Sequence, residues 1–145
     1  MLEYLAAKGG ASLERTIRAI GGSWKRWGFS LPLFQNDEIE VVWIRAWRGG
    51  YSSRHYHRKK DNVFLVTKGR LLIVSYGPQG PMKEILEPGA VLSVPAGVDH
   101  RFVALDDAVA YEIYRATTDQ FIRAGDIVRQ DAGGVFRGDP LEFDG

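Results

Sequence analysis

Three histidines, spaced among a few glycines and prolines, constrain this chain more than anything else in it. Gly49 is followed after five residues by His55-Tyr56-His57, after four more by Asn62, and after six more by Gly69. A second block runs Gly89, five residues, Pro95-Ala96-Gly97, two residues, His100. Residues two apart on a β-strand face the same side, so His55 and His57 can both point into a closed sheet and share one ion. Pro95 and Gly97 suit a tight turn that starts the next strand and aims His100 at the same point. These are the only three histidines, and cysteine is absent. A transition metal would therefore be held by imidazole nitrogen and by oxygen.

The rest of the composition narrows the class. A length of 145 residues suits one domain with one core. Lys plus Arg number 19 and Asp plus Glu 18, leaving a net charge of +1. That balance offers no electrostatic footprint for nucleic acid or an anionic membrane, so neither is expected as a partner. No apolar run approaches the ~20 residues that span a bilayer. The stretch Met1 to Lys8 lacks the basic start and long apolar run of a secretion signal, and the default expectation is a cytoplasmic protein.

Along the chain, Ser12 to Gly22 reads as a short helix: Ser12 can cap it, Leu13, Ile17 and Ile20 recur at helical spacing, and Gly21-Gly22 can end it. From Ile39 the texture becomes strand-like. Segments 39–47, 63–67, 71–76, 82–86, 90–94, 101–105 and 109–115 are separated by turn signals such as Lys68-Gly69-Arg70, Pro88-Gly89 and Asp106-Asp107. Many short strands at this spacing predict an all-β barrel or sandwich. The expected division is an N-terminal helical arm over residues 1–24, a barrel over 25–131 and an irregular surface tail over 132–145. Leu2, Tyr4 and Leu5 have no obvious place in a closed barrel, which predicts a homodimer joined through the arm.

The two histidine blocks resemble the paired motifs of the cupins, a family of double-stranded β-helix (jelly-roll) barrels. In that family the first block supplies two histidines and a glutamate to a metal, and the second supplies another histidine. The resemblance implies a metal held by His55, His57, Asn62 and His100, with Asn62 standing where the family has glutamate. An amide oxygen is a weaker ligand than a carboxylate. Three neutral nitrogens should disfavour magnesium and favour zinc, iron or nickel. Asp61 would face the other side of its strand.

Further stretches resemble the type II phosphomannose isomerases and the C-terminal domain of mannose-1-phosphate guanylyltransferases. They are Lys25-Arg26-Trp27-Gly28, Pro95 to Arg101, Tyr111-Glu112-Ile113 and Asp126-Ile127-Val128-Arg129. That branch has glutamine where His55 stands. The resemblance implies a metal-dependent isomerase or epimerase of a sugar or sugar phosphate. Such an enzyme needs a base beside a polarised carbonyl, and Glu112, between Tyr111 and Tyr114, is the candidate catalytic carboxylate. Arg45, Arg54, Lys59 and Arg101 are candidates for meeting a phosphate or carboxylate at the barrel mouth. Trp24, Trp27, Trp43 and Trp47 fit core or dimer packing, with stacking on a sugar ring as the alternative. Two other functions suit the same fold: an iron-dependent dioxygenase, and a non-catalytic cupin that binds a small carbohydrate or organic acid.

Overall fold

The computed structural model of the chain describes residues 21–117, 122 and 125–145. The expected helix from Ser12 lies almost wholly outside them, as does the arm carrying Leu2, Tyr4 and Leu5 on which the homodimer expectation rests. The described chain is built from strands β1 (Ser23–Lys25), β2 (Gly28–Gln35), β3 (Ile39–Ala46), β4 (Gly50–Tyr51), β5 (His55–Tyr56), β6 (Lys60–Lys68), β7 (Leu71–Gly77), β8 (Gly80–Leu86), β9 (Val91–Val94), β10 (Asp99–Ala104), β11 (Ala108–Ala116), β12 (Val128–Arg129) and β13 (Gly134–Val135). One short 3₁₀ turn, Pro140–Glu142, follows. Among the described residues no helix is long and apolar enough to cross a membrane.

The strands form two antiparallel sheets. The first, six-stranded, runs β1-β2-β3-β11-β6-β9. In the second, β10 is flanked on one side by β7 and β8, and on the other by the broken strand β4/β5, which in turn pairs with β13 and β12. The all-β barrel expected from the turn spacing is observed, with the jelly-roll form that the cupin resemblance implies. Two motif glycines show why the spacing matters. Gly49 (φ 81°) and Gly69 (φ 67°) adopt left-handed backbone, and a Cβ on them would lie 2.2 Å from the Phe136 carbonyl oxygen and 2.5 Å from that of Asp107.

Alternation along the strands decides what faces inward. On β6 the buried positions are Lys60, Asn62, Phe64 and Val66; on β11 they are Tyr114, Glu112, Ala110 and Ala108. These strands run antiparallel with Asn62 opposite Tyr114 and Val66 opposite Ala110. Inward residues on β10 are His100, Phe102 and Ala104. Each strand is thus polar at one end of the barrel and apolar at the other. The apolar end, with Ile44, Phe64, Val66, Leu71, Ile73 and Phe102, forms the main core and supports the polar end.

Strand β10 is buried on both faces. Val103 and Leu105 join Leu72, Val74 and Phe143 in a second cluster outside the barrel. The tail over 132–145 was expected as irregular surface chain. It instead carries β13 and the 3₁₀ turn, and its Phe143 ring sits 4.8 Å from Tyr51 and 5.6 Å from Phe136. Lys83 Nζ donates to the Phe143 carbonyl, and the Tyr76 hydroxyl donates to that of Gly145. Replacing Phe143 by alanine should cost about 3–5 kcal/mol, since a large buried ring leaves a void over β10. Urea unfolding measures this; an unchanged midpoint would mean the tail lies outside the cooperative unit.

The segment Gly28–Gln35 was not expected as a strand. Pro32 interrupts its pattern, and the structure accommodates it at a register shift between Pro32 and Phe34. Lys25-Arg26-Trp27-Gly28 forms the tip of the β1–β2 hairpin, with Lys25 paired to Gly28.

Candidate metal centre

His55 and His100 are direct cross-strand partners on β5 and β10, so their side chains project to the same face. His57 follows β5 and is held by its carbonyl, which accepts a hydrogen bond from the Gly97 N–H of the Pro95-Ala96-Gly97 turn. Ring centroids are 4.7 Å apart for His55 and His100, 5.0 Å for His55 and His57, and 5.8 Å for His57 and His100. Each ring offers a ligand nitrogen, and these atoms lie within 4.8 Å of one another. The three residues that the sequence spacing singled out are brought together.

The hydrogen bonds behind the rings define their chemistry. Each Nδ1 faces a backbone carbonyl: Ser53 at 2.7 Å for His55, Asp126 at 2.7 Å for His57, Val98 at 2.8 Å for His100. A carbonyl only accepts, so each Nδ1 carries the proton and each Nε2 keeps its lone pair. Outer partners of this kind orient histidine ligands in metal sites. Burial, reinforced by the neighbouring histidines, lowers the His55 pKa to about 3. Burial lowers His57 to about 4 and pushes His100 down as well. All three are neutral at pH ~7.

Buried polar atoms normally have partners. Here His55 Nε2, His57 Nε2 and Asn62 Oδ1 have none. Asn62 is fully buried, with its Nδ2 3.3 Å from His100 Nε2. The His55 and His57 lone pairs left without donors, with the His100 ring nitrogen close by, fit a cation. Three neutral imidazole nitrogens suit a nitrogen-seeking divalent ion better than magnesium.

Glu112 lies on β11, buried, and accepts a hydrogen bond from the Tyr114 hydroxyl at 3.1 Å. Burial raises its pKa, against the opposing hydrogen bonds from Tyr114 and Asn62. It is not one of the clustered ligand groups. Lys60 packs its ammonium over the Tyr114 ring and 3.5 Å from Glu40. These side chains face one cavity of about 570 Å³ together with His55 and His57, and Trp27, Arg26 and Arg129 also line it.

The expected cations are not the ones in the cavity wall. Arg45 is exposed on β3 between the inward-facing Ile44 and Ala46. Arg54 pairs with Asp99 and stacks on Tyr76. Arg101 neighbours the inward-facing His100 and so points outward, where it is buried near Tyr51 and Phe143 and paired with Asp131. Lys59 is exposed, whereas the next residue, Lys60, faces inward. Asp61 faces outward as expected and binds Arg115 and the Ala96 N–H. Of the tryptophans, Trp27 lines the cavity, Trp43 packs on Phe29, and Trp24 and Trp47 stack on the surface. Asp126 was missed as an organiser. Its carbonyl holds His57, and its carboxylate accepts from the Arg58 and Lys59 N–H groups. The only signal for it was the run Asp126 to Arg129.

The cupin domain family matches residues 42–114, which hold all of these histidines, and the chain belongs to that family. Among solved structures, oxalate decarboxylase from Bacillus subtilis superposes with a TM-score of 0.66 at 12% identity, covering 79% of this chain and 31% of that one. KdgF from Halomonas sp. superposes with a TM-score of 0.58 at 20% identity, covering 67% and 87%. The chain therefore spans under a third of the decarboxylase, and at these identities the likeness is one of fold. A search of curated protein sequences found no match.

Proposed function

We propose that this chain is a metal-dependent cupin enzyme that shifts a proton on a small hydroxy-carbonyl compound, as an isomerase or epimerase of a sugar or sugar phosphate does. The observation that carries the reading is the placement of the Glu112–Tyr114 pair on the wall of the cavity that His55 and His57 line. A divalent ion held by His55, His57 and His100 would supply Lewis acidity toward a substrate oxygen. Glu112 takes the proton from carbon and returns it. Its raised pKa brings the carboxyl toward the range where both transfers are efficient. Tyr114 orients that carboxyl through its hydroxyl, and the inward face of β11 keeps both residues out of bulk water.

The test is carbon-bound hydrogen exchange in deuterated water, with zinc- or nickel-loaded protein and a panel of aldoses, ketoses and their phosphates. Wild type should exchange and interconvert one such pair. Glu112→Gln should slow both by about a hundredfold or more, as loss of a general base does, with metal content unchanged. Exchange as fast in the variant as in wild type would remove Glu112 from the reaction. A donor set with no carboxylate also favours a second reading, an iron-dependent dioxygenase. Oxygen consumption by iron-loaded protein, with no isomerisation, would select it.

A further inference from the structure

The cavity wall carries more cations than its acids can hold. Its acidic side chains are Glu40, Glu112 and Asp131. Glu40 is paired with Lys60, and Glu112 holds the Tyr114 hydroxyl. Asp131 gives one oxygen to the Arg101 guanidinium and the other to the Arg54 N–H. Lys25, Arg26 and Arg129 line the same cavity, and none has an acidic partner among the described residues.

Arg129 is the best placed of the three. It pairs with His55 across β12 and β5, and directly opposite residues of an antiparallel pair project to the same face. Arg129 therefore stands on the histidine side of the sheet and lines the cavity with His55. A guanidinium beside a site suited to a dication is repelled unless an anion comes between them. The planar fork of arginine matches carboxylate and phosphate alike.

We infer that the cavity takes a substrate bearing an oxyanion, carboxylate or phosphate, gripped by Arg129 beside the histidine cluster, with Arg26 and Lys25 as supporting charges. The inference rests on the reading of this cavity as a substrate site and adds the chemical class that it selects.

Calorimetric titration of zinc-loaded and metal-free protein with gluconate, inorganic phosphate and the uncharged sorbitol tests it. At least one anion should bind wild type, more weakly as salt rises, and sorbitol should bind at least about tenfold more weakly than that anion. Arg129→Gln should weaken the anion about tenfold, and Arg129→Lys less, because a charged donor–acceptor pair is lost outright only in the first. Zinc content should stay the same in both. Preference for gluconate assigns a carboxylate, and preference for phosphate assigns a phosphate. Equal anion affinity in Arg129→Gln and wild type, equal affinity for sorbitol and the anions, or no anion binding would each overturn the inference. Should Arg129→Gln fail to fold, Arg129→Lys and the salt dependence decide the matter. Anion binding that depends on Arg129 in protein unable to hold zinc would end the metal reading and leave this one standing.

Discussion

Metal-free protein should lose at least about 2 kcal/mol of stability between pH 6.5 and 4.5, against the ~5–15 kcal/mol that holds a typical domain together. In the unfolded chain each histidine titrates near 6.5, whereas burial in the fold holds His55 at about 3 and His57 at about 4, with His100 lowered too. Below 6.5 the unfolded state takes up protons that the fold refuses. The contribution of these rings is therefore complete above 6.5 and is lost as pH falls toward their folded values. Two lagging imidazoles give a slope of about 2.7 kcal/mol per pH unit, and His100 adds to it. Glu112 opposes them. Its carboxyl is raised, so its contribution is complete below its ordinary value of 4.5 and is lost as pH rises through the folded value. It offsets at most one proton. Asp61 and Asp106 are held below 3.8 by Arg115 and Arg70, and their contributions fade only in stronger acid. Urea midpoints of chelator-treated protein at pH ~7, ~5.5 and ~4.5 measure the effect. Saturating zinc should raise the midpoint at pH ~7 and move the acid transition lower, because the ion occupies the lone pairs that protons need. A midpoint unchanged from pH ~7 to ~5 would mean that the rings are not held neutral by burial.

The same residues explain what could be read from the sequence and what could not. The barrel and the convergence of His55, His57 and His100 were legible because they depend on local rules: period-two alternation on a strand, and left-handed glycines or proline at fixed turns. Arg101 shows the rule applied incompletely. As the neighbour of an inward-facing histidine it had to point outward, and Arg45 was placed by the same logic between Ile44 and Ala46. Lys60 and Glu112 face inward through alternation along β6 and β11, so both positions were within reach. The partners behind the rings were not. His57 depends on a carbonyl 69 residues away, at Asp126. Arg129 joins the site only because β12 returns to pair with β5. Backbone acceptors and late strand pairings leave no residue-type signal. The tail was misread for a related reason: Phe143 has no periodic context, and its burial depends on the apolar outer face of β10 and β7.

Replacing His57 by alanine should remove most bound zinc, whereas replacing Asn62 by glutamate should tighten it. The first change deletes one of three converging lone pairs. It should cost more than the roughly 10–100-fold in affinity that follows loss of an outer hydrogen-bond partner. Two neutral nitrogens and an amide oxygen would remain. The second change puts a carboxylate at the fully buried position beside His100, where it would supply the charge that the neutral set lacks. Asn62 also counters the burial that raises the Glu112 carboxyl. A second carboxyl there should therefore make metal-free Asn62→Glu less stable than wild type, because two buried acids repel or must share a proton. Bound zinc should reverse the order. Competition with a chelator gives the affinities, and urea midpoints with and without zinc give the stabilities. Zinc content unaffected by His57→Ala would place the ion elsewhere. Weaker zinc binding in Asn62→Glu would mean that the pocket is shaped around the amide, with the Asn62 side chain needed to hold Glu112 rather than to face the ion.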